Sequence, residues 1–314
     1  MATNQTGGRL AFLCAPIDDP RRIQLREERF LKAYRDRNVL DDIVEIGHET
    51  TKLRRVNDGD TADALSIFAA PWMYSVEYSQ DREYPLQARI PLPEPCGLDR
   101  SFGDVVRSRR STRHFAGKPL AIGEVSTLLF CAVGETGRLA AGVVDDQLID
   151  VSLRSIPSGG GLHPTRVFVA LLRPGDLERG IYHYDALDHQ MEFVKPLPDS
   201  EVEALFAAFP IHPFSIDLGP AAAIFFISTK FWRVRAKYGS RGYRYCLQEA
   251  GSASQNLSLA ATALGLAHVV LGGFYDDEVH DRLEIDGVDH AVITAVAVGT
   301  PQEQSKTESR RVNY

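Results

Sequence analysis

Cysteine is scarce in this chain: Cys14, Cys96, Cys131 and Cys246 are the only four in 314 residues, far apart and never as CxxC. That spacing argues against a disulfide framework or a cysteine zinc site, and fits reduced thiols in a cytoplasmic protein. Positive charge is also short. A formal net charge of −7 argues against general affinity for nucleic acid or anionic membranes, both of which need a basic face. The histidines form no HExxH or other metal-ligating pattern, so no metal is expected. The opening MATNQTGGRLAFLCAPIDDP lacks a basic flank before a sustained apolar run, which argues against a signal peptide. One uncharged run, Leu257 to Phe274, reaches the minimum length of a membrane span. It contains His268, Gly265, Gly272 and Gly273, and its AHVVLGGF half has strand composition. It therefore reads as a buried helix end, a turn at Gly265 and a buried strand.

What is present is ordinary globular composition, 44% hydrophobic and 25% charged, with length for one large domain or two modest ones. Residues 1–95 read as a largely helical N-terminal extension. Asp18-Asp19-Pro20 is a helix start, followed by a charged stretch with a partial apolar face, and a second short helix is expected from Val39 to Ile46. The proline-rich PLPEP, Pro91 to Pro95, resists helix and ladder hydrogen bonding and marks a connector. A second domain is expected over 96–314.

In that domain Asp99 is a candidate cap for a helix turning Phe102, Val105 and Val106 to the core. Ile122 to Val133 reads as an amphipathic helix ended by Gly134. RVFVALL is strand-like, and two β-rich runs around Asp185 to Asp188 suggest a hairpin. Asp199 or Ser200 is a candidate cap for a helix through Phe209. AAAIFFIS and HAVITAVAVG, from Ala221 and His290, are the near-continuous apolar runs of strands covered on both faces. The fold class is therefore α+β and layered, with no internal repeat.

Three motifs carry the chemistry. RSRRSTR sets Arg109, Arg110, Ser111 and Arg113 at a helix end, where guanidinium groups and a hydroxyl suit a phosphate; a solvated basic face would look the same. PSGGGLHP is neither a Walker loop nor a GxGxxG fingerprint, so no dinucleotide domain is implied. Its adjacent glycines let backbone approach something flat or bulky, or simply make a turn. The third is the block from Phe231 to Phe274, with Lys237-Tyr238 at a loop or helix end, then a small-residue helix, then VVLGGF.

In their order and separation these motifs resemble the flavin site of the nitroreductase superfamily, and within it the SagB-type dehydrogenases, which oxidise peptide thiazolines and oxazolines. The resemblance covers roughly the last two-thirds of the chain. It implies a mixed, mainly antiparallel sheet flanked by helices, bound FMN, and a homodimer with flavin at the subunit interface. Arg109, Ser111 and Arg113 match its phosphate motif, with Arg110 between them and Arg310 in the C-terminal basic position. Pro157, Ser158, Gly159 and Gly160 match a segment that packs on the isoalloxazine, often from the partner subunit, and His163 follows it. Leu271, Gly272 and Gly273 match the backbone that meets flavin N5. Gly272 stands where many relatives carry an acidic residue, which leaves room for a bulky substrate.

Lys237-Tyr238 matches the pair that accepts a proton in azoline oxidation. An ammonium beside a phenol lowers the phenol's pKa and burial lowers that of a lysine, so either is a candidate base. Adjacent helical residues point about 100° apart, so both reach one point only if the backbone leaves the helix there or the substrate lies between them. One departure stands out: Ser252 occupies the position of a histidine common before QNL, which puts substrate specificity in question. The expected activity is FMN-dependent oxidation of azoline rings in a peptide natural product, with dioxygen reoxidising the flavin and a cyclodehydratase as a possible partner. An NAD(P)H-driven nitro or quinone reductase, or a flavin-free scaffold that presents a peptide, fits the same composition.

Overall fold

The computed structural model describes residues 47–48, 50–52, 88–144, 147–173, 175–211 and 215–302, with backbone alone over 141–144 and 147–150. The helices expected from Asp18 and from Val39 to Ile46 lie outside the described residues.

Seven strands form one sheet in the order β1-β6-β5-β4-β7-β9-β8. They are β1 (Arg89–Pro91), β4 (Thr165–Leu171), β5 (Gly180–Asp185), β6 (Gln190–Pro196), β7 (Ala223–Lys230), β8 (Ala267–Leu271) and β9 (His290–Gly299). Every pairing within the sheet is antiparallel. The remaining two strands, β2 (Glu135–Val144) and β3 (Gln147–Arg154), make a separate antiparallel hairpin that the sequence reading did not anticipate. Pro91 also differs from expectation, since it ends a short strand paired to β6. An edge position tolerates its missing N–H.

The two apolar runs form the middle of the sheet. Phe225 and Ile227 on β7 face a core shared with the helices α2 (Ile122–Val133) and α5 (Gly242–Ala263). Ile224 and Phe226 face a second core on the opposite side of the sheet, shared with α3 (Asp199–Ala207) and α6 (Asp276–Leu283). Each such phenylalanine contributes about 1.5–3 kcal/mol by leaving water. On α2, Val125, Leu128, Leu129 and Ala132 are buried at helical spacing, and Glu124 accepts a hydrogen bond from the Ala121 amide at 2.8 Å.

Two helix starts differ from expectation. The first helix, α1 (Phe102–Ser108), is capped by Ser101 rather than Asp99, the Ser101 hydroxyl accepting from the Asp104 amide at 3.2 Å. It lies on α5 along one narrow stripe, so only Val105 is buried, whereas Phe102 is 74% and Val106 48% exposed. At α3 the cap position belongs to Pro198, whose ring holds φ at −64° ahead of the first turn. Asp199 is thereby moved into the helix, which ends at Ala207. No helix among the described residues is long and apolar enough to cross a membrane.

Candidate active site

α4 (Phe231–Tyr238) follows β7 directly, and the chain then turns through Gly239–Arg241 into α5. Tyr238 leaves helical geometry, with φ −115° and ψ 10°, and Gly239 takes φ +53°. That break satisfies the condition for two adjacent residues to reach one point. A Cβ built on Gly160 would lie 2.6 Å from Tyr238 Oη and 3.2 Å from Lys237 Nζ. Lys237 Nζ also stands 5.9 Å from the Tyr238 ring centroid. Both side chains are half-buried.

The glycine loop under this pair is held from several directions. Gly160 and Gly161 both have φ +69°, which glycine adopts without strain, and His163 has φ +47°. Ser158 Oγ accepts from the His163 amide at 2.8 Å, and Arg233 Nε donates to the Leu162 carbonyl. Tyr245 lies beneath Gly159, with its ring 3.4 Å from a Cβ built there, and meets the Tyr238 ring edge-on at 5.1 Å. Glu249, one turn further along α5, is 4% exposed and accepts from the Thr165 amide at 3.4 Å. Burial pushes its carboxyl pKa up, while the Ser158 hydroxyl and the Thr165 amide favour its charged form. Neither Tyr245 nor Glu249 was expected among the site residues; their four-residue spacing on α5 was the available signal.

His163 is turned toward β3, its Nε2 2.8 Å from the Ser152 carbonyl oxygen. Burial and then the Arg154 charge lower its pKa to about 4. Pro157 is exposed at the mouth of the loop.

The arginine motif lies elsewhere. It follows α1 and joins β8 through the Thr112 amide, which donates to the His268 carbonyl at 2.8 Å. Arg109 is half-buried, and Arg110, Ser111 and Arg113 are exposed. Arg110 turns back on the chain, its Nη1 donating to the Arg109 carbonyl at 2.7 Å. His268 is 2% exposed and neither ring nitrogen has a hydrogen-bond partner among the described residues. Burial and then the Arg109 charge lower its pKa to about 4. At the other end of β8, Leu271 is buried while Gly272 and Gly273 are exposed, with nothing within 4 Å of a Cβ at either glycine. From His268 to Gly272 is about 13 Å at ~3.3 Å per residue. β8 thus carries cations and a hydroxyl at one end and an open backbone ledge at the other. Arg310 lies outside the described residues.

These two groups are built on different elements: the pair and the glycine loop stand by the N-terminal part of α5 and the start of β4, and the arginine motif follows α1 and joins β8. Tyr245, Glu249 and Asn256 fall within about 40° on the helix. Asn256 Nδ2 donates to the Cys131 carbonyl of α2 at 3.1 Å, and α2 packs on β4, so this flank faces the β4 side. β8 is the third strand beyond β4, about 14 Å across at ~4.8 Å per strand.

The nitroreductase family model matches residues 106–300, which span the arginine motif, the glycine loop, the pair and β8. The chain belongs to the nitroreductase family. A protein of Methanocaldococcus jannaschii named as a nitroreductase is 32% identical over 64% of this chain and 90% of its own length. The microcin B17-processing protein McbC of Escherichia coli is 31% identical over 42% of this chain. The trifolitoxin-processing protein TfxB of Rhizobium leguminosarum is 30% identical over 36% of it. These two matches span only 49% of McbC and 30% of TfxB. Among solved structures, the E. coli microcin synthetase McbBCD complex with truncated pro-MccB17 aligns over 80% of this chain and 99% of the solved chain. Its TM-score is 0.51 at 22% identity, a likeness of fold. The expected nitroreductase-like α+β fold, an antiparallel sheet with flanking helices, is the observed one.

Proposed function

We propose that this nitroreductase-family protein is an FMN-dependent dehydrogenase that oxidises azoline rings in a peptide natural product to azoles. The observation that carries the reading is the convergence of Lys237 Nζ and Tyr238 Oη on Gly160. The similarity to proteins named for microcin B17 and trifolitoxin processing supports a peptide substrate. A cyclodehydratase partner is part of the reading, supported by the fold shared with the McbBCD complex.

The residues along β8 fit FMN. Arg109, Ser111 and Arg113 would hold its phosphate, with the unpartnered His268 ring beside them. Leu271, Gly272 and Gly273 would meet its ring, since the exposed glycine ledge leaves a flat group room to lie against backbone. When bound, FMN supplies the acceptor for the hydride that the azoline loses. The accompanying proton goes to Lys237 as its neutral amine or to Tyr238 as its phenolate, and the other side chain holds the acceptor in place. The loop under them is exposed at Pro157 and Gly160, which leaves a peptide ring access.

In this reading the site is completed across a homodimer. The pair and the glycine loop stand by β4 and the β8 residues three strands away in the sheet, and in this reading a second copy brings the two together. Pro157, Ser158, Gly159 and Gly160 of one copy then cover the ring held by the other. The decisive experiment is mass spectrometry of an azoline peptide incubated with the purified, FMN-loaded protein. A loss of two hydrogens per ring is expected. NADH-driven nitro or quinone reduction without azole formation would place the protein among reductases instead, and a chain that takes up no FMN would leave a peptide-presenting role.

A further inference from the structure

Glu249 is a carboxylic acid in a buried position on the central helix, and proton transfer to Lys237 or Tyr238 does not use it. It lies one turn after Tyr245, on the same flank, facing the strand start that follows the glycine loop. Its carboxylate takes the Thr165 amide at 3.4 Å and lies within hydrogen-bonding reach of the Ser158 hydroxyl. Ser158 Oγ in turn accepts from the His163 amide at 2.8 Å, which closes the loop across Gly159, Gly160 and Gly161. Glu249 therefore touches both ends of the turn on which Lys237 and Tyr238 converge.

The charges around it belong to the same loop. Arg166 on β4 favours the charged carboxylate, and its Nη1 donates to the His163 carbonyl at 2.7 Å. Cys246, the buried thiol on the same helix, is the other titratable neighbour, and burial raises its pKa to about 11. Arg233 and Arg166 hold the Leu162 and His163 carbonyls at the end of the loop, whereas across its glycines, where the backbone has wide freedom, the ties are the Ser158 hydroxyl and the His163 and Thr165 amides. Without the carboxylate, Ser158 and Thr165 lose a common anchor.

We propose that Glu249 is a positioning residue: through Ser158 and the Thr165 amide it locks the glycine loop and so sets the distance from Gly160 to Lys237 and Tyr238. The proposal rests on the reading of that pair as the proton acceptor. The chemistry stays with the pair, and Glu249 touches neither substrate nor cofactor.

Hydrogen–deuterium exchange on the flavin-loaded full chain tests the loop independently of turnover. In Glu249→Ala, exchange over 157–164 should rise about tenfold or more, the effect of losing one hydrogen-bond anchor. The rest of the domain should keep its protection. Turnover should fall by a similar factor with FMN retained and KM little changed. Glu249→Gln, whose amide oxygen still accepts from Thr165, should restore most of both. Adding Ser158→Ala to Glu249→Ala should cost less than the sum of the two single changes, because both remove the contact between Glu249 and Ser158. Unchanged exchange over 157–164 in Glu249→Ala overturns the proposal, and so do additive losses. If Glu249→Ala unfolds, Glu249→Leu, which keeps most of the volume and removes the acceptor, decides by the same local exchange. A wild type that forms no azole fails the functional reading, and the exchange result still decides the loop.

Discussion

Gly160 lies directly against both Lys237 and Tyr238, two residues that neighbouring positions on one helix would have pointed apart. The contact leaves no room for a side chain: a Cβ on Gly160 would stand 2.6 Å from Tyr238 Oη, and the residue's φ is +69°. The relationship joins a backbone requirement to a chemical one, and it can be broken with a single methyl group. Gly160→Ala should strain the turn by about 1–2 kcal/mol and push the tyrosine hydroxyl away. Azole formation per bound FMN is expected to fall at least about tenfold. Turnover measured alongside flavin absorbance checks this, and a fully active Gly160→Ala would remove the loop from the reactive geometry.

Lys237→Ala and Tyr238→Phe should each lower azoline oxidation by about 10²–10⁴-fold, the usual cost of removing a general base. Neither change touches the β8 residues, so both proteins should remain yellow. Equal rates for wild type and flavin-loaded Tyr238→Phe would take the pair out of the mechanism.

Arg113→Ala should weaken FMN binding about tenfold to a hundredfold, through loss of a charge-assisted hydrogen bond worth roughly 1.5–3 kcal/mol. Titration of the apoprotein followed by flavin fluorescence reads this directly. Undiminished affinity would move the phosphate away from the arginine motif.

The proposed sharing of the site between two copies gives a test by complementation. Homodimers of Arg113→Ala and of Tyr238→Phe should both be poor catalysts under limiting FMN. A heterodimer carrying one of each keeps one site with wild-type arginine and wild-type tyrosine, provided these come from different copies. Such a heterodimer, purified through two tags, should recover about half the wild-type turnover, since one of its two sites is intact. Activity no better than either homodimer would place the pair and the arginines of one copy in the same site.

His163 and His268 make stability depend on pH. Both folded pKa values lie at about 4 against an ordinary 6.5, with burial the first cause in each. The unfolded chain therefore binds more protons between those limits. Stability present above about pH 6.5 is lost as the pH falls toward 4. Melting temperature measured from pH 7 to 4 should drop steeply. His268→Gln should flatten that slope, and an unchanged slope in that variant would exclude His268 as a source.

The sequence by itself determined the strands β7 and β9, the helix α2 and the turn at Gly265, because periodicity and glycine act locally. It also supplied the candidate motifs RRSTR, PSGGG and Lys-Tyr, whose residue types carry their chemistry in their composition. Where the reading missed, non-local packing was the reason. Phe102 and Val106 looked like core residues, but α1 meets α5 along too narrow a stripe to bury them. The β2–β3 hairpin pairs residues whose alternation is diluted by glycine and alanine. Only the tertiary structure decided that Lys237 and Tyr238 converge, because the answer depended on Tyr238 leaving the helix and on Gly160 arriving from 77 residues earlier. Only it placed Glu249 and Tyr245 against that loop, and only it joined the arginine motif to β8, three strands from β4. Those relations are set by the order of strands in the sheet, which distant segments fix together and no local pattern encodes.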